Sequence, residues 1–190
     1  MKTITASAYD DTFEILVSDA DYDLVSHLRW GIQAIPCGLR YAVAREYPNV
    51  ILMHRLIMDA KDGQLVDHID GNGLNNQREN LRLCTRRQNL QNIRKRNFSR
   101  KTSRFKGVRY RANYGTFHAE IECSPHRLHL GAYESEHDAA VAYDAAAHLL
   151  FGPFARPNFG EPFRDAPARL PSDRIKLIAQ MMPALVDLVG

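Results

Sequence analysis

The chain has 190 residues, 45% of them hydrophobic and 25% charged, and carries a formal net charge of +3. That balance describes a folding chain with room for one domain or two small ones, and it argues against general disorder. A helical membrane protein is excluded, because no apolar run approaches the roughly 20 residues that cross a bilayer. The start, MKTITASAYDD, also lacks the apolar core of a signal peptide, so a cytoplasmic location is expected.

From Met1 to Met58 the chain runs in short apolar pieces: FEILVS, DADYDLVSHLRWGIQAI, LRYAVAREY and NVILMHRLIM. Asp19 or Asp21 is placed to cap a short helix reaching His27, with Leu24, Val25 and Leu28 inward. Trp30, Ile32, Tyr41, Val43, Ile51 and Met53 predict strands, and together they make a small supporting sheet.

From Gln64 to Arg96 the pattern is strand, loop, strand, helix. Val66 to Ile69 predicts a short strand, Asp70-Gly71-Asn72-Gly73 a turn-rich loop, and Leu81 to Cys84 a second strand. Arg86 to Arg96 predicts a helix capped by Thr85. Asp67, His68, Asn80 and Asn89 fall within this unit. A carboxylate, an imidazole and two carboxamides so close in sequence supply what metal-assisted cleavage of a phosphodiester requires. Adjacent strand residues point to opposite faces, so Asp67 and His68 serve one site only at a strand end or a bulge.

Between Arg86 and Arg111 there are eleven Lys or Arg and no Asp or Glu, a run that reads as a phosphate-facing surface. Within it, residues 97 to 103 are polar, basic and free of large aliphatic side chains, as in a linker. A second unit then begins at Arg104. In it Phe117, Ala119 and Ile121 alternate with His118, Glu120 and Glu122, and Leu128 and Leu130 alternate with Arg127 and His129, which gives a sheet with one apolar face. Ser135-Glu136-His137-Asp138 is a capping-box pattern opening an alanine-rich helix that Gly152-Pro153 stops. Small side chains let that helix lie close against the apolar face, leaving the face with Arg109, Arg111, Arg127 and His129 for a groove. After Gly160, Ser172-Asp173-Arg174 leads into the amphipathic IKLIAQMM, whose length Pro183 limits. Cys37, Cys84 and Cys123 are odd in number and far apart, and reduced thiols are the reading.

The stretch VDHIDGNGLNNQRENLRLCTRRQNLQN, from Val66 to Asn92, resembles the Asp-His, Asn, Asn signature of the HNH nucleases. The resemblance implies a ββα-metal unit in which His68 is the general base and Asp67 and Asn89 ligate a divalent cation. Asn80 would hold the His68 loop by backbone hydrogen bonds. With two oxygen donors the expected ion is Mg²⁺ or Mn²⁺ rather than Zn²⁺. His54-Arg55 resembles the His-Arg pair that precedes this unit in the family, with a structural role expected for His54 and a structural role or a phosphate contact for Arg55.

Residues 104 to 159 resemble the AP2/ERF DNA-binding domain. The matches are FKGVRYR from Phe105, FHAEIE from Phe117, RLHLGAY from Arg127, HDAAVAYDAAA from His137, and FGPFARPNF ending at Phe159. Tyr114 and His129 stand where that family has tryptophans, Glu122 replaces an arginine, and one residue is added between Ala112 and Tyr114, so a plant target sequence does not carry over.

Together these readings predict an α+β chain. A small N-terminal sheet and a ββα-metal unit occupy residues 1–96 and a basic linker 97–103. An AP2/ERF-like three-stranded antiparallel sheet packed on one helix occupies 104–160, and an extension with a C-terminal helix 161–190. The function implied is a site-directed DNA endonuclease of homing or nicking type, from a phage or mobile element, acting as a monomer on double-stranded DNA in the host cytoplasm. Arg86, Arg87, Arg94, Lys95, Arg96, Arg104, Lys106, Arg109, Arg111, Tyr114, Arg127 and His129 are the expected DNA contacts. The alternatives are a transcription regulator with a scaffold nuclease unit and, third, a protein acting on RNA.

Overall fold

The computed structural model describes residues 1–8, 10–36, 38–93, 102–123, 125–160 and 170–186, the last five by backbone alone. It is a mixed α+β structure of several small, largely antiparallel sheets and few helices, in two compact units, Met1–Leu90 and Gln91–Gly190.

Unit 1 opens with a hairpin of β1 (Lys2–Ala8) and β2 (Asp11–Val17), which turns Ala6, Ile15 and Val17 inward. A 3-10 turn, Asp19–Asp21, leads into α1 (Tyr22–Val25), shorter than the helix expected to His27. Neither Asp19 nor Asp21 caps it through a side chain: Asp19 pairs with the terminal amine, and buried Asp21 holds Arg78. With one turn of helix only one face meets the core, so Val25 is buried while Leu24, expected inward, is 42% exposed.

A second sheet follows: β3 (Trp30–Ala34), β4 (Arg40–Glu46) and β5 (Asn49–Leu52). The Trp30 indole N–H donates to the Val25 carbonyl at 2.8 Å. Met53, expected in a strand, instead starts α2 (Met53–Ile57). It is buried in either conformation, which is why a short apolar run does not separate the two.

β6 (Leu65–His68) pairs antiparallel with β8 (Leu81–Cys84), with Asp67 opposite Arg82 and His68 opposite Leu81. The loop between them contains two elements not foreseen. The two-residue β7 (Asn75–Asn76) runs parallel to β2, and a 3-10 turn spans Arg78–Asn80. Gly73 is required here: a Cβ on it would sit 2.2 Å from the Arg40 carbonyl oxygen, so the loop lies hard against β4. β8 feeds α3 (Arg86–Gln91), opened by a reciprocal capping box between Thr85 and Gln88. The helix expected to reach Arg96 ends at Gln91, with Asn92 and Ile93 non-helical; Arg94, Lys95 and Arg96 lie outside the described residues.

In unit 2, β9 (Val108–Arg111), β10 (Thr116–Cys123) and β11 (His126–Tyr133) form a meander in the order β11-β10-β9. Ala119, Ile121, Leu128 and Leu130 line its inner face against α4 (Glu136–Phe151). Ser135 caps that helix, accepting from the Asp138 N–H, and Ala139, Ala140, Ala142, Ala145, Ala146 and Ala147 are all buried. Without a Cβ at Gly107 the Tyr143 ring fits where one would stand, 1.8 Å away. Asp144, buried on α4, takes the backbone N–H groups of Asn158 and Phe159 and so ties down the segment that follows α4. α5 (Ser172–Val186) buries Ile178 in the same core. It runs through Pro183, which was expected to limit it; a proline removes one backbone donor without having to end a helix.

Candidate functional site

The first pair in the site follows from strand register. Asp67 and Arg82, opposite each other on β6 and β8, share a face, and the Asp67 carboxylate accepts from Arg82 Nε at 2.9 Å and from a terminal guanidinium nitrogen at 2.6 Å. Both side chains are largely buried, so this is not a solvent-screened surface pair.

His68 is the last residue of β6, and its buried ring packs edge-on against His54, with centroids 5.0 Å apart and planes at 75°, and lies 5.9 Å from Tyr41. Its Nε2 is 3.4 Å from the Asn76 carboxamide oxygen. Burial lowers the imidazole below the ordinary histidine value, opposed by the Asn76 bond and the charges of Asp70 and Asp67, so the ring is neutral at neutral pH. His54, 8% exposed, is pushed down to about 3 by burial, then by His68 and Arg55. Its Nδ1 is buried with no hydrogen-bond partner among the described residues. Arg55 donates to the carbonyls of Ala60, Lys61 and Gln64, closing the turn that enters β6.

Asn80 clasps the loop after His68. Its carboxamide oxygen accepts from the Asp70 N–H at 3.0 Å, and its nitrogen donates to Asp70 Oδ1 at 3.0 Å and to the Asn75 carbonyl at 2.8 Å. Asp70 also accepts from the Asn72 N–H and the Asn75 side chain. Burial raises the Asp70 carboxyl, but these hydrogen bonds outweigh it and hold it below the usual value. Asn89 stands half-buried on α3, its N–H on the Thr85 carbonyl. The structure thus gathers Asp67, His68 and Asn80 on one pair of strands and the loop joining them, with Asn89 on the helix that follows. Sequence reading missed Arg82, Asn76, Asp70 and Tyr41. Arg82 carries a signal only once β6 and β8 are set in register, and the other three only through the fold.

The donor set suits a hard cation. Asp67 already accommodates one positive charge, and Asp67 and Asn89 offer oxygen. The neighbouring Cys84 thiol is pushed up to about 11 by burial and by Asp67, so it stays protonated and does not add a soft ligand. Among the described residues no group of three or more His, Cys, Asp and Glu stands together to hold a metal ion.

On the outer face of unit 2, Arg109, Arg111, Arg127 and His129 are exposed, and so are Tyr114 and Arg104. Arg111 pairs with Glu120 at 3.0 Å and Arg127 with Glu122 at 3.3 Å, and His118 Nδ1 lies 2.9 Å from His129 Nε2. Lys106, expected as a DNA contact, is engaged inside its unit. Its ammonium donates to the Gln91 carbonyl at 2.7 Å and lies over the Tyr143 ring, and burial pushes it down to about 8. Arg86 is exposed and Arg87 half-buried at the start of α3. No helix among the described residues is long and apolar enough to cross a membrane.

A strand pair carrying a buried carboxylate and a neutral imidazole, followed by a capped helix with a carboxamide, agrees with the family comparisons. The HNH endonuclease family matches residues 52–91, which include His54, Asp67, His68, Asn80 and Asn89. An uncharacterized HNH endonuclease of Acanthamoeba polyphaga mimivirus is 38% identical over 145 residues, covering 75% of this chain and 73% of the viral one. The chain belongs to the HNH endonuclease family. Its C-terminal region is similar to plant transcription factors. An ethylene-responsive transcription factor of Arabidopsis thaliana is 43% identical over 76 residues, which cover 37% of this chain. Another from Nicotiana tabacum is 49% identical over 65 residues, 33% of this chain. The chain spans 47% and 28% of those two plant proteins.

Proposed function

We propose that this protein is a metal-dependent, site-directed DNA endonuclease in which β6, β8 and α3 form a ββα-metal unit and unit 2 selects the DNA through an AP2/ERF-like sheet. The observation that carries the reading is His68, buried and neutral at the end of β6 beside the Asp67 carboxylate.

His68 takes a proton from water as the water oxygen bonds to phosphorus, the bond from phosphorus to the leaving deoxyribose oxygen breaks, and that oxygen takes up a proton from solvent. A neutral imidazole at working pH suits that step, because a protonated one has no lone pair to give. Asp67 and Asn89 would hold the divalent ion, Mg²⁺ or Mn²⁺, with Asp67 exchanging its bond to Arg82. Bound there, the ion supplies charge relief at the phosphate and the leaving oxygen. Asn80 keeps the loop after His68 closed, acting on geometry rather than on substrate.

Sequence choice falls to the outer sheet face, where Arg109, Arg111 and Arg127 reach base edges or phosphates with Tyr114 and His129 beside them. Arg86, Arg87, Arg94, Lys95, Arg96 and Arg104 supply phosphate contacts, and Lys106 serves its own unit's packing. A monomer cutting one strand per engagement, with residues 97–103 as linker, and a homing role in a phage or mobile element complete the proposal.

The similarity of the C-terminal region to transcription factors favours one second reading, a regulator that binds DNA without cutting it. Supercoiled plasmid incubated with the protein and Mg²⁺, with and without EDTA, separates the two. Metal-dependent nicking that is absent in His68→Ala supports the nuclease, and binding with no nicking by either protein supports the regulator.

A further inference from the structure

We propose that Asn76 is a positioning residue that sets which nitrogen of His68 carries the proton. The inference rests on the reading of His68 as the base and adds a residue to its machinery.

Asn76 is 0% exposed. Its backbone is held by parallel pairing with β2, where Asn76 lies opposite Val17, and by the Leu16 N–H to Leu74 carbonyl bond at 2.9 Å. The press of Gly73 on β4 fixes the loop from the other side. The N-terminal hairpin therefore places this side chain, and the side chain meets the His68 ring.

Its carboxamide has one orientation that satisfies both ends. The nitrogen donates to the Gly73 carbonyl at 3.4 Å, which turns the oxygen towards His68 Nε2 at 3.4 Å. The reverse orientation would set oxygen against the Gly73 carbonyl oxygen, two acceptors facing each other. A carboxamide oxygen only accepts, so Nε2 must bear the hydrogen. In a neutral ring Nδ1 then holds the lone pair, and under the base reading that is the atom to take the proton from water. His54, edge-on at 5.0 Å, and Tyr41, at 5.9 Å, restrain the ring plane, so Asn76 settles the tautomer of a ring already held in place. An apolar side chain would fill the same buried space without the cost of desolvating an amide, which makes the hydrogen bond the reason for the asparagine.

The test uses the full chain without metal, at a pH where His68 is neutral. Long-range ¹H–¹⁵N spectra of the imidazoles are recorded, with the His68 signals assigned by their loss in His68→Ala. The expected wild-type result is a protonated Nε2 and an unprotonated Nδ1. Asn76→Leu should lose that single tautomer. In plasmid nicking Asn76→Leu should lower kcat about 10–100-fold, with KM for DNA unchanged. A wild-type ring protonated on Nδ1 overturns the proposal without any variant, and so does an unchanged Nε2–H tautomer in Asn76→Leu. Failure of the base reading looks different: His68→Ala would then nick as fast as wild type, whatever the spectra show.

Discussion

Replacing His54 by phenylalanine should flatten part of the acid dependence of unit 1 stability. In the folded protein burial holds His54 at about 3, against 6.5 for an exposed histidine. Between those values the unfolded chain binds a proton that the folded one refuses. Stability from this residue is therefore complete above pH 6.5, falls as the pH drops through the window towards 3, and is level below it. At about 1.4 kcal/mol per pH unit the whole window amounts to about 5 kcal/mol, and lowering the pH to about 5 costs about 2 kcal/mol. Phenylalanine keeps the ring between His68 and Tyr41 and cannot take the proton. It also removes the unpartnered Nδ1, so at neutral pH the variant should be at least as stable as wild type. The assay is urea unfolding followed by tryptophan fluorescence, because the single tryptophan, Trp30, is 6% exposed in the unit 1 core and reports on that unit. The stability difference between variant and wild type should widen by about 2 kcal/mol between pH of about 7.5 and about 5. A difference that stays constant over that range would refute the assignment of a buried, neutral His54.

The other expectations concern packing, the clasp and the basic run. Gly107→Ala places a Cβ 1.8 Å from the Tyr143 ring at a φ of +74°, and should destabilise unit 2 by about 2–4 kcal/mol, measured by urea unfolding followed in circular dichroism. Asn80→Ala removes three hydrogen bonds around Asp70; nicking should fall about 10–100-fold while DNA binding in a gel shift is retained. Replacing Arg94, Lys95 and Arg96 together by alanine should weaken binding to all DNA alike and reduce the salt slope of log K by roughly 0.9 for each lost phosphate contact. Loss at one sequence alone would contradict a phosphate role.

How much of the fold was legible depended on local pattern. The strand containing Asp67 and His68, the Leu81–Cys84 strand, the capping box at Thr85 and the alternation of Phe117 to Glu122 are all short-range signals, and each locates its element. Met53 was misplaced because a buried apolar run of a few residues has the same composition in a strand as in a turn of helix, and Leu24 because a single helical turn puts only one face against the core. β7 left no signal: Asn75 and Asn76 read as turn formers until β2 pairs with them. The site divides in the same way. Asp67, His68, Asn80 and Asn89 stand in an order that could be read directly. Arg82 and Asn76 act through partners 15 and 8 residues away, which only the register of β6 with β8 and the path of the loop bring near.

If the Asp67 and His68 pair cuts the DNA that unit 2 holds, binding and cleavage must separate when they are measured in the same samples. A DNA fragment selected for binding is incubated with saturating wild-type or His68→Ala protein, split between a gel shift and a denaturing gel, and compared with and without Mg²⁺. Equal binding by both proteins, with strand cleavage by wild type alone and only with the metal, is the predicted result. Equal binding with no cleavage by wild type under any divalent ion, or cleavage that survives in His68→Ala, would contradict it.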